Sequence, residues 1–152
     1  LEVPTFPLRG SLQGATISLH FRKETVEQED WARLLDFEGE SYDGRGGIKV
    51  EWASGRNDEL KLSLKGGHVE FVRHPALGTT AWVHLLWVMS STGWRVLVNG
   101  EPVVNWAGSD VADGKLTSNW IGSRHDHKRN FKGCMDTLQV FSMALHDLSV
   151  FD

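Results

Sequence analysis

Apolar and polar residues alternate along most of the chain with the two-residue period of strands that have one face in a core and one in water. Ile17, Leu19 and Phe21 alternate with Ser18, His20 and Arg22. Ile48, Val50 and Trp52 alternate with Lys49 and Glu51, and Leu60, Leu62 and Leu64 alternate with Lys61, Ser63 and Lys65. From Trp82 to Met89 nearly every position except His84 is apolar. That run predicts a central strand covered on both faces, although a short buried helix gives the same pattern by periodicity alone.

Turn signals separate these runs. Asn99-Gly100 lies between Trp94–Val98 and Glu101–Val104 and predicts a type I′ hairpin, whose two central residues both need positive φ. Lys65-Gly66-Gly67-His68, Asp43-Gly44 and Asp113-Gly114 mark further reversals. Two segments carry a helical signature. Thr25 and Gln28 are spaced as a capping box, with Trp31, Leu34 and Leu35 at helical spacing. A loop followed by a strand over Trp31–Phe37 is preferred there, because everything around it is β. A turn or two around Leu145–Val150 is the other helical candidate. Roughly ten short strands without a βαβ rhythm predict an all-β, antiparallel two-sheet sandwich or jelly roll, as one domain over residues 1–152.

Composition sharpens this picture at a few points. A chain of 152 residues can bury a two-layer core. Seven tryptophans are enough to fill such a core, to stack on sugars, or both. A net charge of −4 with mixed signs argues against nucleic acid as a partner. No apolar run approaches the roughly 18 residues of a membrane span, so membrane insertion is not expected. No charged-then-apolar leader opens the sequence, which reads as one module or subunit of something larger. Cys134 is the only cysteine and has no internal partner; it reads as a small core residue, with a reactive thiol as the alternative.

Two segments carry a family resemblance. Trp82-Val83-His84-Leu85 followed by Trp94-Arg95-Val96-Leu97-Val98-Asn99-Gly100-Glu101 resembles the "Trp-x-His-Val … aromatic-x-Val-Asn-Gly" strand pair of laminin-G-like and pentraxin-like domains. Trp120-Ile121-Gly122-Ser123, then Phe131-Lys132-Gly133-Cys134-Met135-Asp136 and onward to Leu145, is similar to their "Ile-Gly … Phe-x-Gly-x-Ile-Asp-x-Val" stretch. The resemblance implies a concanavalin A-like jelly roll. Much of the signature is structural: Gly133 suggests a bulge or close backbone approach, and Asp136 reads as an acceptor for hydrogen bonds from a neighbouring loop.

Candidate chemistry is sparse. The hydrolases of this superfamily carry Glu-x-Asp-x-x-Glu on an inner strand, supplying the carboxylate pair that glycoside hydrolysis needs; no such string is present, and the chain is not expected to be an enzyme. Glu27–Asp30 and Glu38-Gly39-Glu40 read as solvated clusters in or beside loops. Pentraxins coordinate calcium through a Glu-Gln-Asp loop, which corresponds here to Gly122-Ser123-Arg124-His125-Asp126. Only Asp126 matches and Arg124 brings the wrong charge, so no cofactor is required, while one calcium ion on Asp126, with Asp43 or Asn130, stays a possibility. For a glycan ligand the candidates are Trp106 at a strand end, the loop residues Tyr42, Asp43 and Arg45, and the basic loop carrying Arg124 and His125. The expected function is carbohydrate binding through rim loops or a sheet face. A protein-binding or adhesion module of a larger surface or multi-subunit protein is the alternative. The resemblance implies an extracellular or cell-surface location.

Overall fold

A computed structural model describes residues 1–3, 6–8, 14–39, 47–64, 66–109, 114–124 and 129–149. The alternating segments become strands β1 (Glu2–Val3), β2 (Phe6–Leu8), β3 (Ala15–Lys23), β4 (Arg33–Gly39), β5 (Ile48–Trp52), β6 (Glu59–Leu64), β7 (Val69–Arg73), β8 (Val83–Ser90), β9 (Gly93–Val98), β10 (Glu101–Ala107), β11 (Gly114–Ile121) and β12 (Gly133–Phe141). A 3-10 turn at Pro75–Gly78 is the only helical element named among them. Seven strands form one antiparallel sheet, in which β1 and β2 both pair with β11 and the order continues β4, β5, β6, β7. The other five form a second sheet in the order β10, β9, β8, β3, β12. This is the two-sheet jelly roll that the alternation predicts.

Hydrophobic burial between the sheets explains the arrangement. Ile17, Leu19 and Phe21 from β3 and Leu85, Trp87 and Met89 from β8 are buried against Phe37, Val50, Trp52, Leu60 and Leu62 of the seven-stranded sheet. Each such side chain contributes about 1.5–3 kcal/mol on leaving water. Trp52, Trp87 and Trp94 are fully buried, and the Trp87 and Trp94 rings meet edge to face with centroids 4.8 Å apart. Trp82 sits just before β8 and is 47% exposed.

β8 is the covered central strand that its apolar run predicts. Its inward side chains enter the core, and Leu86 and Val88, which point the other way by alternation, are buried as well. The segment after β12 returns over that outer face. The hydroxyl of Thr16, paired with Val88, donates to the carbonyl of Met143 at 2.8 Å and accepts the N–H of Leu145 at 3.0 Å. This segment carries no α-helix among its described residues; of the turn predicted around Leu145–Val150, Ser149 is in 3-10 conformation and Val150 lies outside the described residues. At the hairpin, Asn99 and Gly100 have φ of 51° and 81°, as a type I′ turn requires. Thr25 to Ala32 form a loop, and the strand that follows starts at Arg33, two residues later than predicted.

β12 corrects a second expectation. Cys134 pairs with Arg22 and Met135 with Phe21, so Met135 faces the core and Cys134 faces outward. Cys134 is exposed and is not a core residue. The reason is register: β12 is an edge strand whose outer side is uncovered at this end. Asp136 is exposed too, and accepts a hydrogen bond from its own neighbour, the Thr137 hydroxyl, at 3.1 Å.

The sandwich has two rims. The first gathers the ends of β3, β5, β7, β9 and β11 with the starts of β4, β6, β8 and β12; the second gathers the opposite ends. At the second rim the Trp106 ring stacks on His68 with centroids 3.6 Å apart and planes within 12°, while Trp94 meets it edge-on at 5.5 Å. The backbone of Gly108 closes over the same ring so tightly that a Cβ there would overlap it. At the first rim Lys23 is 3% exposed. Its Nζ donates to the carbonyls of Val26 at 2.9 Å and Asn57 at 2.8 Å and lies 4.6 Å over the Trp52 ring. Burial lowers its pKa to about 8, against the opposing pull of Asp58.

Two outcomes follow. Gly108→Ala should cost about 1–3 kcal/mol, because the Trp106 ring is hemmed in by His68 and Trp94 and cannot retreat. In a Trp106→Ala background the same change should cost far less, which a double-mutant cycle of melting temperatures measures. The second outcome concerns pH. Folded Lys23 gives up its proton near pH 8, whereas the unfolded lysine keeps it to about 10.5. The unfolded chain therefore binds more protons across that window, and Lys23 makes unfolding costlier as pH rises through it. The melting-temperature gap between the wild type and Lys23→Met should widen from pH 8 to pH 10.

Candidate functional site

The outer face of the seven-stranded sheet carries charges where alternation puts β4, β5 and β6 side chains on the side away from the core. Arg33 and Glu51 are register partners on β4 and β5 and form an ion pair. Glu51 is held on its other side by Lys61 of β6, Nζ to Oε1 at 3.4 Å, and Arg33 Nε stands 3.8 Å from Asp36. Arg33, Asp36 and Glu51 are 8%, 1% and 4% exposed, although they lie outside the hydrophobic core. Buried charges persist only when paired, and each of these three has an opposite charge beside it. The Lys61 ammonium also lies 5.1 Å over the ring of Trp31. Further along the face, Val69 and Phe71 of the edge strand β7 are exposed.

Trp31 owes its position to the loop before β4. It takes a φ of 62°, in the left-handed region where a bulky residue is strained unless its surroundings hold it. Those surroundings are tightly bonded. Asp30 accepts the Gly55 N–H at 2.7 Å and the Ser54 hydroxyl at 3.0 Å, and these bonds hold its carboxyl below the usual carboxylate range. Arg129 donates to the Asp30 carbonyl at 2.8 Å, and its own carbonyl accepts the Arg33 N–H at 2.8 Å. Gln28 exchanges hydrogen bonds with the backbone of Lys132, accepting at 2.9 Å and donating at 3.1 Å. The segment after β11 is thus bonded to the loop before β4, and together they form a rim beside the charged face.

The candidates from sequence divide between the rims. Asn130 bridges Arg33, and Arg124, half-buried, belongs to the same segment, so both stand at the first rim. His125 and Asp126 lie outside the described residues, as do Tyr42, Asp43 and Arg45. Among the described residues no three His, Cys, Asp or Glu side chains gather as a metal site. Trp106 is at the second rim, and its ring is already stacked on His68.

Sequence reasoning missed Trp31, Arg33, Asp36, Glu51 and Lys61 as a group. Lys61 and Glu51 were visible as polar positions in alternating strands. The usable signal is that these positions carry opposite charges on neighbouring strands, but pairing them requires the register, which the sequence does not state.

No curated protein sequence matches the chain. Solved structures do match in fold. The Ruminococcus gnavus IT-sialidase CBM40 bound to α2,3-sialyllactose superposes with a TM-score of 0.64 at 12% identity, over 97% of this chain and 94% of that one. The native heptameric SAP-like pentraxin from Limulus polyphemus gives a TM-score of 0.60 at 16% identity, over 95% and 68%. The LG1-3 region of the laminin α2 chain gives 0.69 at 11% identity, over 95% of this chain and 25% of that one. The Laminin_G_3 family model, described as concanavalin A-like lectin/glucanases superfamily, matches residues 1–151. The chain belongs to that family.

Proposed function

We propose that this domain is a non-catalytic carbohydrate-recognition module that binds its glycan on the outer face of the seven-stranded sheet, beside the first rim. The observation that carries the reading is the Trp31–Lys61–Glu51–Arg33 group. It offers the half-buried Trp31 ring to stack on the apolar face of a pyranose and the Lys61 ammonium for its hydroxyls, while the buried Glu51 holds Lys61 in place and is itself paired with the buried Arg33. Because neighbouring charges already hold these side chains, little rotamer freedom remains to be lost on binding. The CBM40 structure bound to sialyllactose supports the reading through a shared fold.

The same pairing supports the non-catalytic part of this reading. Glycoside hydrolysis uses two carboxyl groups free to give and take a proton. Asp36 and Glu51, the buried carboxylates of this face, are instead occupied by Arg33 and Lys61. The reading requires no metal ion, since its polar groups are side chains of the sheet. We place the protein outside the cell, as one unit of a larger assembly. Protein binding is the second reading, favoured by Phe71, 52% exposed on the same face.

Two measurements test the proposal. Screening on a glycan array, followed by titration of any hit against tryptophan fluorescence, should give saturable binding that weakens at least tenfold in Lys61→Ala and in Trp31→Ala, with both variants folded. Silence on the array, or a hit indifferent to both substitutions, would sink the idea. Affinity should also be the same in calcium and in chelator; a chelator-sensitive complex would move the site to the loop carrying Asp126.

A further inference from the structure

On the opposite side of the molecule, the outer face of the five-stranded sheet brings together two histidines that lie far apart in sequence. His20 of β3 and His84 of β8 are register partners. The backbone N–H of His84 donates to the Asn99 side chain at 2.8 Å, and its carbonyl accepts the Asn99 N–H at 2.9 Å. Both backbone groups of His84 therefore face β9, so His20 and His84 are a non-hydrogen-bonded pair, the closely spaced kind in which opposite side chains stand nearest. Their imidazoles are stacked, with centroids 4.2 Å apart and planes within 4°.

Three more observations bear on this pair. Ser18, two residues along β3 on the same face, places its hydroxyl 2.8 Å from His84 Nε2 and orients that ring. His20 Nδ1 is buried without a hydrogen-bond partner. On the other side of His20, Asp136 of β12 is its register partner, so a carboxylate, an imidazole and an imidazole follow one another across three adjacent strands. Burial and the neighbouring His20 hold His84 below the ordinary histidine range.

We propose that His20 and His84 are a two-imidazole anchor for a late first-row divalent cation such as Cu2+, Ni2+ or Zn2+, with water completing the coordination. Imidazole nitrogen suits these ions, and Cu2+ heads the affinity order among divalent metals. Bonds of about 2.0–2.1 Å to each ring require the rings to turn out of their parallel stack, so that one in-plane nitrogen of each points at the ion. Ser18 takes the role of an outer partner that fixes ring orientation. Arg22 and Cys134 occupy the next row, and Arg22 is drawn off over the Trp82 ring at 5.3 Å. This site shares no residue with the proposed glycan face and stands independently of it.

The test is titration of Cu2+ into the folded protein carrying His125→Asn and His127→Asn, which removes the other histidine pair. Binding should be saturable at one ion per chain. It should weaken at least tenfold in either His20→Gln or His84→Gln, and be lost below about pH 5.5 as protons compete for the rings. Electron paramagnetic resonance on the parent protein should show two imidazole nitrogens on the copper, a readout that needs no substitution in the pair. No saturable uptake, a spectrum with fewer than two nitrogens, or affinity unchanged in both folded variants would overturn the proposal.

Discussion

The apolar contact between the two sheets is the constraint on which everything else rests. Phe21, Trp52, Trp87 and Trp94 fill the space between them, and a core packed around such rigid rings leaves little room for strands to slip. A one-residue slip would carry every core side chain to the solvent face. Holding the core in place therefore also holds each outward residue on its own face, and the charged group on one sheet and the histidine pair on the other both inherit their precision from it.

The two outer faces then differ in what they carry. The seven-stranded sheet bears Arg33, Glu51 and Lys61 in an ion-paired row, rimmed by a loop whose hydrogen bonds hold Trp31 in a conformation it would not adopt alone. The five-stranded sheet is covered by the strap after β12 at one end. At the other end it exposes Trp82, Arg22 and Cys134 beside the half-buried His20–His84 pair. The strap seals the apolar half of that face, around Leu86 and Val88, and leaves the polar half open.

Membership of a concanavalin A-like family accounts for the framework without specifying a ligand, since many unrelated functions share such a frame. Function here is argued from the side chains that register places together. On the outer face of the seven-stranded sheet, ion pairs hold the carboxylates of Asp36 and Glu51 against Arg33 and Lys61.

Much of the framework was legible along the chain because its causes are local. Alternation marks the strands, Asn99-Gly100 dictates its own turn, and the apolar run of β8 announces a strand covered on both sides. The loop before β4 could be preferred over a helix for the same reason, since its neighbours are all strands. What the sequence alone determined was which residues alternate and where the chain reverses. Only the tertiary structure decided which strands are neighbours. Cys134 faces solvent because β12 is an edge, Trp82 is exposed because it stops short of the core, and His20 meets His84 because β3 lies beside β8. Each depends on pairing between distant segments, and that pairing follows from burying all the apolar faces at once, a condition no single stretch of sequence contains.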